Sequence, residues 1–249
     1  MAFEGTLLEA VAERIEPNPL GSAVFTDSLP LIWSLNHLRV ERANATADEI
    51  AAEAERLQGG LQHRRVAIED EATGRGLEPG FTALGWKPDV FLFMVPRRDP
   101  HRRVDTSGVV EVEREELRPI RETILGEWLG DVEGEVMSQL AESDRRYAEA
   151  GNARHFAVHV DGKAVSSTDL FSNGRVAQIE DVGTLPDHRG VGHASAVVMK
   201  ALEEARAMGH EFIFLVADAR DWPKEMYGRL GFDGVGEKYS YLLHPLPGA

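Results

Sequence analysis

The stretch Asp181-Val-Gly-Thr-Leu-Pro-Asp-His-Arg-Gly-Val-Gly-His-Ala194 constrains this chain more than any other. A strand pattern over Arg175–Thr184 runs into it. Pro186 and Gly190 break that pattern, and a helix follows through Met208 with Val191, Ala194, Val197, Val198, Ala201, Leu202 and Ala205 as its apolar stripe. Gly209 stands where a glycine ends a helix. The first backbone N–H groups of a helix have no partner inside it, and with the helix dipole they form an anion site. Gly190 and Gly192 remove side chains where a diphosphate must approach the backbone, and Arg189 adds a positive charge at the rim. The segment therefore predicts a pyrophosphate-bearing ligand. A P-loop is excluded because no Gly-Lys-Ser/Thr is present. A dinucleotide fingerprint is disfavoured because Ser195 stands at the third glycine position and the preceding strands read as hairpins. A coenzyme A diphosphate is the third class that competes.

The surrounding pattern is α/β. Val109–Val112 reads as a strand, Glu115–Leu129 and Gly134–Ala150 as helices, and His155–Val160 and Ala164–Phe171 as strands joined by the hairpin signal Asp161-Gly162. After the long helix come a buried strand, Phe212–Ala217, a short helix, Pro223–Leu230, and a last strand, Gly234–Leu243. Toward the N-terminus, residues 1–16 predict a helix with Leu7, Leu8, Val11 and Ile15 on one face. Leu31–Val40 predicts a strand, and Thr46–Leu57 a helix whose Thr46 and Glu49 form a capping box. Arg65–Ile68 and Val90–Val95 are strands, with Gly74, Gly76, Pro79 and Gly80 interrupting the stretch between them. Residues 96–108 hold two prolines, four arginines and no apolar period, so the chain divides into 1–105 and 106–249. Both parts repeat strand, helix, strand, then a Leu-Gly-aromatic turn and a strand. The turns are Leu84-Gly85-Trp86 and Leu230-Gly231-Phe232, which suggests a degenerate duplication.

Charge and composition exclude several functions. With 42 acidic against 27 basic residues the net charge is −15, the wrong sign for a general nucleic-acid binder and the right one for attracting a cationic amine. Cysteine is absent, which removes disulfides, thiolate zinc sites and a cysteine nucleophile. No apolar run is long enough for a membrane span, and no signal peptide is evident, so the expectation is a cytoplasmic protein without membrane contact. His155 and His159 are four apart on a strand but lack a third ligand, and no metal site is expected.

Arg189-Gly190-Val191-Gly192-His193-Ala194 fits every fixed position of the acyl-CoA loop pattern Gln/Arg-x-x-Gly-x-Gly/Ala. Downstream, Met226-Tyr227-Gly228-Arg229-Leu230-Gly231-Phe232 matches a Leu-Tyr-x-x-Leu-Gly-Phe motif with Met for the first Leu. In these motifs, over about residues 109–243, the sequence resembles the GCN5-related N-acetyltransferase (GNAT) family. The resemblance implies a splayed mixed sheet with acetyl-CoA between two diverging strands. It implies acyl-pantetheine contacts from Val182, Gly183 and Thr184, and a pyrophosphate cradle from Arg189, Gly190, Val191, Gly192, His193, Ala194 and Ser195. Many members place an Asn before the short last helix. Here Asp221 stands there, as a substitute cofactor contact or as a helix cap. The first part lacks the loop glycine, since Arg42-Ala43-Asn44-Ala45-Thr46-Ala47 occupies the equivalent place, and it is expected not to bind acetyl-CoA.

Acetyl transfer to an amine needs a proton acceptor for the amine and a proton donor for the departing thiolate. Tyr227 stands at the family's general-acid position. Strand alternation puts Glu180 on the face of Val182 and Thr184, which makes it the candidate base, with Asp181 as the runner-up. The expected activity is direct transfer from acetyl-CoA to a primary amine, either a small molecule or a peptide N-terminus, by a monomer or homodimer. The alternatives are a non-catalytic acyl-CoA-binding or sensing module and a nicotinamide-dependent oxidoreductase.

Overall fold

A computed structural model describes residues 2–130 and 134–244. The first part contributes α1 (Ala2–Val11), β1 (Arg14–Asn18), β2 (Gly21–Phe25), β3 (His37–Val40), α2 (Ala47–Gln58), β4 (Arg64–Ile68), α3 (Glu71–Ala83) and β5 (Lys87–Pro96). The second contributes β6 (Val109–Val112), α4 (Arg118–Leu129), α5 (Gly134–Ala150), β7 (Arg154–Val160), β8 (Lys163–Ser172), β9 (Val176–Thr184), α6 (His193–Ala207), β10 (Phe212–Asp218), α7 (Pro223–Arg229) and β11 (Phe232–Leu243).

All these strands join one sheet in the order β1-β2-β3-β4-β11-β5-β10-β9-β8-β7-β6. Only β3–β4 and β9–β10 pair in parallel. The order is nearly its own mirror: β1-β2-β3-β4-β11 on one side answers β7-β8-β9-β10-β5 on the other. The duplication is therefore present in the topology, and the two halves exchange their last strands. β5 inserts between β10 and β11, while β11 inserts between β4 and β5. Each Leu-Gly-aromatic turn precedes one exchanged strand, with Gly85 at φ +82° and Gly231 at φ +95°.

Three local expectations are corrected. The first helix stops at Val11, and Ile15 is an exposed residue of β1, because the chain turns back at Asn18 into a β1–β2 hairpin. Leu31–Val40 is not one strand. A 3₁₀ turn spans Trp33–Leu35, held by Asn36 Nδ2 donating to the Leu29 and Ile32 carbonyls, and β3 starts at His37. The glycine-rich stretch after β4 is helical throughout. Asp70 caps it by accepting from the Thr73 N–H at 2.8 Å. Its glycines serve close approach: a Cβ at Gly74 would lie 2.7 Å from Tyr239, and one at Gly80 2.7 Å from Ala47. The capping box of Thr46 and Glu49 is present as expected.

Residues 96–108 do not run free. Arg97 and Arg98 N–H both donate to the Gly231 carbonyl, and the Arg98 guanidinium pairs with Asp233 at 2.6 Å. A Cβ on Gly231 would sit 2.1 Å from the Arg98 carbonyl oxygen, whereas one on Gly85 would meet nothing within 4 Å. Both substitutions carry the left-handed backbone strain; only the first adds a backbone clash. Gly231→Ala is expected to cost about 3–5 kcal/mol and Gly85→Ala about 1–2 kcal/mol in denaturant unfolding. Equal costs would contradict this reading of the turn.

Candidate active site

The site forms where the second half's parallel strands part. β9 and β10 pair from Val176↔Phe212 to Ile179↔Leu215. Beyond that, β10 is held only on its other edge, by β5 from Leu215↔Met94 to Asp218↔Phe91, while Glu180–Thr184 stay on β8 alone. One edge of β9 over Glu180–Thr184 thus has no strand partner among the described residues. In the first half, β3 and β4 pair as far as Val40↔Ile68, where both strands end, and a cavity lies there between residues 39–43 and 67–70.

Past Thr184, a 3₁₀ turn over Pro186–His188 leads to the glycine loop. The helix starts at His193, slightly later than its apolar stripe suggests, with Gly192 as N-cap in a left-handed conformation at φ +98°. Gly190 is also left-handed at φ +79°, and a Cβ on either glycine would meet nothing within 4 Å. No side chain caps α6, and no acidic residue stands in its first turn. The N–H groups of this turn, around His193, Ala194 and Ser195, are therefore available to an anion. The equivalent α2 is closed: Thr46 accepts from the Glu49 N–H, and Glu49 bonds the Thr46 N–H at 2.8 Å. Of these two equivalent helix starts, that of α2 is filled and that of α6 is not. Val191 is 70% exposed at the loop tip. Arg189 is exposed but tethered. Its Nε donates to the Thr184 carbonyl at 3.0 Å, and its Nη1 to Glu127 of α4 at 2.8 Å.

The simple strand alternation fails at Asp181. This residue has φ +50°, and the β8–β9 register slips between Ser167 and Asp169. Thr184 pairs with Ser166, their hydroxyls 2.8 Å apart, whereas Glu180 pairs with Asp169. Since Ser166 and Asp169 lie on opposite faces of β8, Glu180 and Thr184 lie on opposite faces of β9. Ala177 and Ile179 pack with α6 in one core. Gln178 and Glu180 therefore face the other side, where Phe3 of α1 and Tyr147 of α5 pack around Phe93, Phe171 and Phe214. A Cβ on Gly183 would come within 2.5 Å of Ile124, so α4 lies directly against this end of β9.

Carboxyls crowd the bulge. Burial pushes Glu180 up to about 8, with the charges of Asp181 and Glu4 adding to the effect. Asp181 keeps an edge exposed to solvent, yet the protein around it and the neighbouring Asp169 push it up to about 7, against the pull of Arg121. Oxygens of Asp144, Asp169 and Asp181 lie within 4.8 Å of one another. Arg121 neutralises part of this cluster, reaching Asp144 at 2.7 Å and the fully buried Asp169 at 2.6 Å. His155 Nδ1 lies 2.8 Å from Asp169, while His159 pairs separately with Glu116, so the two histidines do not converge. Across the wedge, Tyr227 of α7 is 6% exposed. Burial pushes its phenol up, with the Glu180 charge adding. Asp221 does not cap α7, whose N-cap is Trp222; its carboxylate accepts from the Trp222 N–H at 2.7 Å.

The fold has counterparts among known proteins. The family model described as "Acetyltransferase (GNAT) family" matches residues 117–232. These residues are a GNAT domain. Among solved structures, a functionally unknown conserved protein from Staphylococcus epidermidis superimposes with a TM-score of 0.69 at 16% identity, covering 94% of this chain and 95% of its own. A GNAT protein from Kribbella flavida gives 0.61 at 16% identity, covering 99% and 95%. A tandem GNAT protein from the clavulanic acid biosynthesis pathway gives 0.53 at 15% identity, covering 85% and 76%. At such identities the likeness is one of fold, and it extends over the duplicated arrangement. No curated sequence is similar enough to this chain to count as a relative.

The Glu180 carboxyl offers a test that does not depend on activity. A carboxyl raised from 4.5 to about 8 opposes folding increasingly as pH climbs through that window, because the unfolded chain gives up its proton first. Glu180→Gln removes that penalty. The variant is expected to melt higher than the native protein at pH 8, with the gap narrowing steadily toward pH 4.5. A gap that does not vary with pH would contradict the assigned environment.

Proposed function

We propose that this GNAT domain transfers an acetyl group from acetyl-CoA to a primary amine, with both bound at once. The observation that carries this reading is the wedge between β9 and β10, which adjoins an uncapped helix start and has Glu180 and Tyr227 at its sides. Val182, Gly183 and Thr184 are assigned to the acyl-pantetheine arm. Residues Arg189 to Ser195 are assigned to the pyrophosphate, and Asp221 to the cofactor's neighbourhood. Open space over Gly190 and Gly192 suits a diphosphate lying against the backbone. Acetyl-CoA supplies the acetyl group as a thioester, and no metal is invoked.

Glu180 takes the proton of the attacking amine. An alkylammonium holds its proton to about pH 10.4, so a carboxyl near 8 is a far better matched base than an ordinary one near 4.5. Tyr227 gives its proton to the departing sulfur. With its phenol pushed up it stays protonated across the working range. The acidic surroundings favour a cationic acceptor, a small-molecule amine or a peptide N-terminus. The first half supplies β5 and the helix α1 with Glu4, and so helps to build the acceptor side. Among the described residues, no helix is long and apolar enough to cross a membrane. We place the protein in the cytoplasm, as a monomer or homodimer.

A thiol-release assay with acetyl-CoA and an amine panel tests the activity itself. Tyr227→Phe keeps the ring that meets Phe232 edge-on at 6.4 Å, so folding is expected to survive. Its turnover is expected to fall about 10²-fold or more, with acetyl-CoA affinity changed by less than about threefold. Full turnover would remove Tyr227 from the mechanism. Calorimetry is expected to count one acetyl-CoA site per chain, lost in a folded Gly192→Val variant. Two sites, or unchanged binding in that variant, would contradict the assignment of the loop.

A further inference from the structure

We propose that Gln178 is a positioning residue for this transfer, its side-chain amide holding the Glu180 carboxyl in place both before and after that group takes a proton. The inference rests on Glu180 as the proton acceptor, assigned above. Gln178 and Glu180 are two apart on β9, ahead of the bulge, and share a face. The Gln178 Nε2 donates to Glu180 Oε1. The residue is 3% exposed, and its cross-strand neighbours are Phe171 on β8 and Phe214 on β10, so the side chain is confined on both sides. Its own Oε1 is buried with no partner.

An orphaned acceptor beside a carboxyl that must cycle its proton has a specific use. While Glu180 is ionised it can only accept, and the amide N–H satisfies it. Once Glu180 holds a proton it must donate, and a half-turn of the amide brings the idle Oε1 to receive that hydrogen. Glutamine alone among uncharged side chains of this length offers both roles. The other groups facing Glu180 are Asp181 on its own strand, Asp169 across on β8, Glu4 from α1, Tyr147 from α5 and Tyr227 from α7. Lys238 of β11 pairs with Glu4 at 3.0 Å. Burial, Asp181 and Glu4 all disfavour the charged form; the Gln178 amide and the Asp181 backbone N–H favour it.

The test is the pH–rate profile at saturating acetyl-CoA for the native chain, Gln178→Leu, Gln178→Met and Glu180→Gln. Without the amide, ionised Glu180 loses a donor, so the acid limb is expected to move up by about 0.5–1 pH unit. Turnover at pH 7 is expected to fall about 3–10-fold, with the amine KM and acetyl-CoA affinity within about twofold. A merely structural role would lower the melting temperature and leave the limb where it was. Met, which keeps the length and flexes, serves if Leu prevents folding. An unshifted limb in the folded variants, beside a slow Glu180→Gln, overturns the proposal alone. Full activity in Glu180→Gln overturns the base assignment and the proposal with it.

Discussion

The antiparallel pairing of β5 with β11 is the contact on which this architecture depends. It runs from Phe232↔Pro96 to Leu242↔Lys87 and joins the last strand of each half at the centre of one sheet. Because β5 also pairs with β10, the first half decides where β10 goes after Leu215. In parting from β9 at that point, β10 stays in the sheet because β5 holds its opposite edge through Asp218, while its β9-facing edge opens. Opening a sheet normally leaves backbone groups unpaired at a cost. Here the facing edges of β9 and β10 both lie without a strand partner beyond Leu215, among the described residues.

The same duplication sets two differently finished halves side by side. Both halves have parallel strands, a following helix and a Leu-Gly-aromatic turn. The first half fills its helix start with Thr46 and Glu49 and ends its strands before they diverge. The second leaves Gly192 at the N-cap and continues β9 through a bulge at Asp181. Charge follows the same division. Glu49 would repel a phosphate at the start of α2, whereas the first turn of α6 has no acid to do so.

Much of this was legible in the sequence. The glycine loop, the helix after it, the hairpin at Asp161-Gly162, the Thr46 capping box and the repeated turns are local signals, and each has its structural counterpart. What could not be read was non-local. Gly74 and Gly80 look like helix breakers until Tyr239 and Ala47 are placed against them. The strand exchange leaves no mark on either strand alone. The bulge is the most consequential miss, because a two-residue period assigns Glu180 to the face of Thr184, and one residue at φ +50° reverses it. The Arg121 network likewise joins α4, α5 and β8 across distances that no motif spans. The burial and the Glu4 charge that help to raise Glu180 are equally non-local.

The central claim is that one wedge, between β9 and β10, receives the acyl-CoA. Amide hydrogen exchange with and without acetyl-CoA measures this residue by residue. Added protection is expected over Val182–Thr184 and Gly190–Ser195, with none over Arg39–Ala43 or Glu69–Thr73 at the corresponding strand ends of the first half. Protection at the first-half positions, or none along β9 and the start of α6 under conditions where acetyl-CoA binds, would contradict it.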